Sequence, residues 1–236
     1  MSALSKFLRK TPLWRPYVKY LKKHSADSGD AFTARYEYEV TRPGGRQETV
    51  CGAGSTMAQT KIAREVVARV VREYGVKSML DAPCGDLNWM KHVPLPGVRY
   101  IGGDVVEKMV EENRTQFGGP TPEGGSREFV VLDIIKQVPP KADLILCRDF
   151  LVHMREADVK KALANFSASG ASYLLATTFP ATAANTDLKF PGEWRAINLQ
   201  AAPFSLPQPL MIVDEECPDA NGRSKSLALW KLPLTP

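Results

Sequence analysis

Leu80-Asp81-Ala82-Pro83-Cys84-Gly85-Asp86 decides how this chain folds. Ser78-Met79-Leu80-Asp81 reads as a buried strand that ends on an acid, and Gly85 follows in a tight turn before a short helix around Asn88–His92. An acid closing a first parallel strand, then a glycine turn into a helix, is how doubly wound sheets grip a nucleotide-like ligand. Gly85 lets backbone and ligand approach closely. A pyrophosphate on the helix start would call for G-x-G-x-x-G here. This turn offers one glycine and the carboxylates Asp81 and Asp86, which repel a pyrophosphate but tolerate a cationic amino-acid ligand.

Working outward, strand and helix periods alternate. Ser55 or Thr56 caps a segment in which Ile62, Val66, Val67, Val70 and Val71 recur at helical spacing until Gly75. Downstream, strands are expected at Val98–Gly102, Glu128–Leu132, Ala142–Cys147 and Ser172–Thr178, and helices at Val105–Phe117 and Glu156–Ser167. That alternation predicts a doubly wound, Rossmann-like parallel sheet with helices on both faces. Residues 180–208 lack periodicity and read as a long insertion. Leu210–Asp214 and Ser226–Leu232 are expected to pair as an antiparallel hairpin across the Pro218–Gly222 turn. Upstream, Tyr36-Glu37-Tyr38-Glu39-Val40 alternates and reads as a short strand within a loop. Two parts follow: a basic arm and loop over 1–50, and one domain over 51–236 with the insertion at about 180–208.

The second strand runs on to Gly102-Gly103-Asp104, which puts an acid 23 residues after Asp81. A carboxylate there can accept both hydrogen bonds of a ribose diol. Val131-Leu132-Asp133-Ile134 closes the third strand with another polar group, placed to reach an adenine edge. One acid at a strand end is often only a helix cap; three in order favour an adenosine ligand. With the charge of the glycine turn, they favour S-adenosylmethionine over NAD, and the missing G-x-G-x-x-G disfavours a nicotinamide oxidoreductase.

From about Ser78 to Thr178 the sequence resembles the class I S-adenosylmethionine-dependent methyltransferases. The resemblance implies a seven-stranded sheet with its last strand antiparallel. By position it assigns Asp81, Ala82 and Gly85 to the methionine moiety, Asp104 to the ribose, and Asp133 with Ile134 to the adenine; Arg148 is read as a further cofactor contact. The family's first glycine is Pro83 here and its third is Leu87, so the loop takes a modified path. More narrowly, DAPCGDLNWM (81–90) and LILCRDFLVHM (144–154) resemble a bacterial-type subgroup of that family.

The fourth strand leads into Arg148, Asp149 and His153, which in such a fold border the methyl group and its acceptor. His153, one of three histidines, can take a proton from a hydroxyl or amine, with Asp149 orienting it or binding a cationic acceptor. The competing reading makes Asp149 a helix cap and His153 a packed side chain. Cys84 and Cys147 read as packing residues, and Trp89 and Phe150 as walls of the methyl site or of the core. In the insertion, Asn185, Trp194, Arg195 and Asn198 are candidates for holding the acceptor, Arg195 through a carboxylate or phosphate. Cys51-Gly52-Ala53-Gly54-Ser55-Thr56 can form a glycine-rich lid, and it is no P-loop because no Lys follows its second glycine.

The 236 residues suffice for one α/β domain with a core. The net charge of +5 is uneven: residues 1–24 hold seven basic groups and no acid, and the remaining 24 basic and 26 acidic groups leave the rest at −2. That balance argues against nucleic acid as the partner, as does the lack of an Asn/Asp-Pro-Pro-Tyr/Phe run. The aromatic-rich basic arm suits an anionic membrane surface or polyanion, or it packs on the domain. A catalytically silent nucleotide-binding module recruited through that arm is the alternative to an enzyme. No run of ~18 apolar residues occurs and Pro12 and Pro16 interrupt the arm. Four cysteines without a CxxC pair suggest a reduced, cytoplasmic protein with no metal site. The expected function is methyl transfer to oxygen or nitrogen of a small-molecule or glycan-linked acceptor.

Overall fold

A computed structural model of the chain describes all residues except 1–7, 9–10, 15, 18–19, 22–26, 42–47, 191, 220–221 and 235–236. The seven cations of the arm fall outside the described residues. Of its apolar residues, Trp14 is buried against Ala34, with Leu8, Tyr17, Leu21 and Tyr38 around it. Among the described residues no helix is long and apolar enough to cross a membrane.

The strands are β1 (Ser78–Asp81), β2 (Arg99–Asp104), β3 (Gly119–Pro120), β4 (Ser126–Val131), β5 (Leu144–Cys147), β6 (Tyr173–Thr178), β7 (Met211–Pro218) and β8 (Ser224–Lys231). They form one sheet in the order β3-β4-β2-β1-β5-β6-β8-β7. From β4 to β6 all neighbours are parallel. β8 runs antiparallel to β6, and β7 pairs with β8 as the expected hairpin. The eighth strand, beyond the seven expected, is β3, two residues of the helix stop that pair with Arg127 and Ser126. Among the described residues, α1 (Ser28–Val40), α2 (Lys61–Glu73), α3 (Glu107–Phe117) and α4 (Glu156–Ala168) pack around the sheet.

Alternation along the central strands divides the core. Leu80, Ile145, Leu174 and Trp230 face one layer, while Met79, Leu144, Leu146 and Leu175 face the other. α2 buries Ala63, Val66, Val67, Val70 and Val71, the apolar stripe of its sequence. Two readings are corrected. Residues 36–40 end α1 instead of forming a strand, because Asp27 caps it by accepting the Gly29 and Asp30 N–H groups, and Ala31, Ala34 and Tyr36 are buried along it. The helix around Asn88–His92 is only a 3₁₀ turn over Met90–His92.

β1 lies between β2 and β5, so successive connections leave it in opposite directions. Crevices form at such a switch point, outside the carboxyl ends of the strands. Asp81, Asp104 and Cys147-Arg148 arrive at that edge together.

Candidate active site

A cavity of ≈ 520 Å³ opens at this crevice. Its near wall is the turn after β1. There Leu87 adopts φ 54° although it is 1% exposed. Left-handed backbone costs a non-glycine residue about 1–2 kcal/mol, so core burial of this leucine holds a glycine-like turn in place. Gly85 itself has φ 57°, and a Cβ there would stand 2.7 Å from Cys51 Sγ.

Asp104 fastens this wall: its Oδ2 accepts the Gly85 N–H at 3.1 Å and its Oδ1 the Val106 N–H at 3.0 Å. Burial pushes its carboxyl up to about 6, against the pull of those backbone donors. Asp81 accepts the Tyr100 hydroxyl at 2.7 Å. Burial raises it to about 7, which the tyrosine bond opposes. Both carboxylates line the cavity. Asp133 and Ile134 lie instead with Ala82 and Leu132 on a small adjoining pocket behind Pro83 and Val105. Asp133 Oδ1 caps the Ile135 N–H, and its carboxylate pairs with Lys136 at 3.1 Å.

At the far end, β5 delivers Arg148 into a buried network rather than toward open space. Its Nε and Nη2 donate to Glu215 Oε2 at 3.0 and 2.6 Å, and its Nη1 to the Gly54 carbonyl at 2.8 Å. The guanidinium also lies over the Trp89 ring, 5.4 Å from its centroid. The expected cofactor contact is therefore a buried cation that borders the cavity but spends its donors on protein groups. Asp149 has φ 54° and accepts Lys225 Nζ at 2.8 Å. Burial pulls its carboxyl upward, but Arg148 and Lys225 outweigh burial and hold it below the usual carboxylate range.

His153 ends a 3₁₀ turn over Leu151–His153. Its Nδ1 is 2.8 Å from the Glu193 carbonyl, which can only accept, so Nδ1 carries the proton and Nε2 is the basic atom. Burial lowers its affinity for a second proton. Glu193, not Asp149, gives the orienting hydrogen bond that the sequence reading gave to Asp149.

The insertion divides by role. Trp194 lines the cavity, 45% exposed and edge-on to Phe179. Arg195 does not reach it: its Nη1 donates to the Met154 carbonyl at 2.7 Å and lies within 3.5 Å of those of Leu151 and Val152. Asn185 and Asn198 also point away. Asn185 Oδ1 accepts the Asn198 N–H at 2.8 Å and its Nδ2 donates to the Asn198 carbonyl, so the pair braces the insertion itself. The two asparagines satisfy backbone groups of an excursion that has no secondary structure to do so, while Arg195 satisfies carbonyls of the 151–154 turn beside it.

Several lining residues escaped the sequence reading. Phe32, Arg35 and Tyr36 come from α1, in the stretch assigned to the arm, and Lys225 from β8. Phe32 and Arg35 fell in a stretch that reads as loop, and Tyr36 in the strand-like alternation of 36–40. The fully buried Glu215 gave no local signal. The glycine-rich 51–55 segment, Trp89 and Phe150 do line the cavity, as expected of a lid and walls. Cys84 and Cys147 are buried thiols whose pKa burial pushes up, in keeping with packing.

No protein-family model matches the sequence, and no curated protein matches it at a significant level. Solved structures do. N-methyltransferase NodS from Bradyrhizobium japonicum WM9, in complex with S-adenosyl-L-homocysteine, superposes with a TM-score of 0.60 at 13% identity, over 88% of this chain and 100% of its own. Human N-acetylserotonin methyltransferase with S-adenosylmethionine gives 0.54 at 14%, over 95% and 69%. Magnesium protoporphyrin IX methyltransferase from Synechocystis PCC 6803, also with S-adenosylmethionine, gives 0.53 at 11%, over 97% and 95%. The chain thus has the Rossmann-like α/β fold of the class I S-adenosylmethionine-dependent methyltransferases.

Proposed function

We propose that this protein is an S-adenosylmethionine-dependent methyltransferase acting on an oxygen or nitrogen of a small-molecule or glycan-linked acceptor. One observation carries the reading: a single cavity runs from Asp104 past Gly85 to His153 and Trp194. An adenosine-binding end and a proton-accepting end thus share one space. The named neighbours bind S-adenosylmethionine or its product, and one of them is named for N-acetylserotonin, a small acceptor.

The residues present suit the cofactor. Asp104 keeps lone pairs for a ribose diol beyond its two backbone bonds. Asp81 places a second carboxylate where a cationic amino-acid group can sit. Gly85 lines the cavity with its backbone, between Asp104 and Cys51. Asp133 and Ile134 bound only the small adjoining pocket of ≈ 20 Å³, and on this reading they are kept as the adenine side of the site.

When bound, the cofactor supplies a methyl group on a sulfonium. The chain does the rest. Asp81, Gly85 and Asp104 hold and orient, while Trp89, Phe150 and the 51–55 segment keep water from the reacting centre. His153 Nε2 takes the acceptor's proton, and the negative Asp149 stabilises the imidazolium that forms. Trp194 stacks against the acceptor at the cavity mouth. The test is transfer of labelled methyl from S-adenosylmethionine to a panel of small hydroxyl and amine compounds. Transfer by the wild type that His153→Gln lowers is expected; full turnover in His153→Gln would remove the general base, and no transfer to any compound would count against the reading.

A further inference from the structure

Charged side chains around the cavity are matched, with one exception. Arg148 pairs with Glu215 and Asp149, Lys225 with Asp149 and Glu215, and Asp219 with Arg223. Asp81 has Tyr100; Asp86 and Asp104 have backbone N–H groups. Arg35 also lines the cavity, half-buried, and among the described residues no hydrogen bond or ion pair meets its guanidinium.

Its place in the cavity is defined. Phe32 lies one turn earlier on the same face of α1, with its ring 5.6 Å from that of Phe150 and 6.3 Å from that of His153. The guanidinium end passes over Gly52, where a Cβ would stand 2.7 Å from Nη2. Its positive charge also counts among the causes that lower the proton affinity of His153. Arg35 therefore stands close enough to His153 to act on its charge, against the 51–52 segment whose Cys51 also packs over Gly85.

A cation withdrawn partly from water without a partner is costly unless a ligand supplies the opposite charge. The planar fork of arginine matches a carboxylate or phosphate with two parallel hydrogen bonds. We propose that the methyl acceptor carries an anionic oxygen group, carboxylate or phosphate, that docks on Arg35 while its nucleophilic atom faces His153. This rests on the methyltransferase reading and narrows the acceptor class.

The cofactor's own carboxylate is the other possible anion, so the test separates the two. Benzoate and inorganic phosphate are titrated into the protein saturated with S-adenosylhomocysteine, with uncharged benzamide as control, for the wild type, Arg35→Gln and Arg35→Lys. Losing a charge-assisted fork predicts at least about tenfold weaker benzoate or phosphate binding in Arg35→Gln and a smaller loss in Arg35→Lys, with S-adenosylhomocysteine affinity held within about twofold. Benzamide should not compete. Failure of both anions to bind the loaded wild type would overturn the proposal. So would an Arg35→Gln protein that loses S-adenosylhomocysteine affinity, since Arg35 would then serve the cofactor. Should the wild type not bind S-adenosylhomocysteine at all, the methyltransferase reading fails instead. The same titrations of the unloaded protein then decide whether Arg35 holds an anion.

Discussion

Replacing Glu215 with alanine should cost far more than an ordinary polar substitution. The Glu215 side chain is fully buried and the Arg148 side chain 3% exposed, and two guanidinium nitrogens converge on one carboxylate oxygen at 3.0 and 2.6 Å. Removing one partner of such a pair leaves an uncompensated buried charge, which typically costs about 3–5 kcal/mol. Asp149 lies 3.3 Å from Arg148 Nη1 and Lys225 3.7 Å from Glu215, so some charge is recovered and the lower half of that range applies. For a chain of this length each kcal/mol moves Tm by about 2–4 °C, so a loss of about 3–4 kcal/mol gives a drop of about 6–16 °C. Urea denaturation of wild type, Glu215→Ala and Glu215→Gln measures it. Glu215→Gln keeps an acceptor oxygen for Arg148 and should lose less. The paired change Arg148→Met with Glu215→Leu should lose less than the sum of its singles. A Glu215→Ala protein within about 1 kcal/mol of wild type would refute the claim that this pair is buried and coupled.

Other consequences are equally open to test. Burial holds the His153 pKa below its ordinary 6.5, so the neutral base predominates at neutral pH. The pH profile of kcat should rise through a midpoint below 6.5 and then stay flat, and His153→Gln should lower kcat about 10²–10⁴-fold with less effect on KM. Asp81 and Asp104 are raised from 3.8 to about 7 and about 6. Their contribution to stability is therefore complete below about pH 4 and is lost as pH rises through 6 and 7, while a ligand that needs them ionised binds better over that range. Thermal melts from pH 5 to 8 should show the unliganded protein losing stability from these groups and the increment from S-adenosylhomocysteine growing. Arg195→Ala orphans carbonyls of the turn that carries His153 and should cost about 1–3 kcal/mol. It should also lower kcat more than it raises KM, and Arg195→Lys should restore part of both.

The parallel sheet and its switch point were legible because apolar runs such as Leu144–Cys147 and Tyr173–Thr178 are buried on both faces and read as continuous strands. That Asp81, Gly85 and Asp104 come together at one crevice was legible for a related reason: strand ends and tight turns constrain residue type locally. Arg35 and Tyr36 were not. Arg35 falls in an apparent loop and Tyr36 in a strand-like alternation, and what makes both part of a helix is the Asp27 cap together with burial of Ala31 and Ala34. Arg195 shows the opposite failure. Its residue type suited an anion, but the carbonyls of residues 151–154 claim the guanidinium first, and only the folded path of the insertion brings them near. Arg148 likewise depends on Glu215, 67 residues away, which no local pattern connects to it.

On the proposed function, one cavity holds an adenosine-bearing sulfonium ligand through Asp104 and Gly85. Calorimetric titration of the protein with S-adenosylhomocysteine, beside an Asp104→Ala variant shown by denaturation to be folded, tests it most directly. The prediction is saturable binding by the wild type, weakened at least about tenfold in the variant as the ribose loses its carboxylate. Binding of equal strength in both would reduce Asp104 to a fastener of the Gly85 turn, and a folded wild type that takes up no S-adenosylhomocysteine would contradict the claim itself.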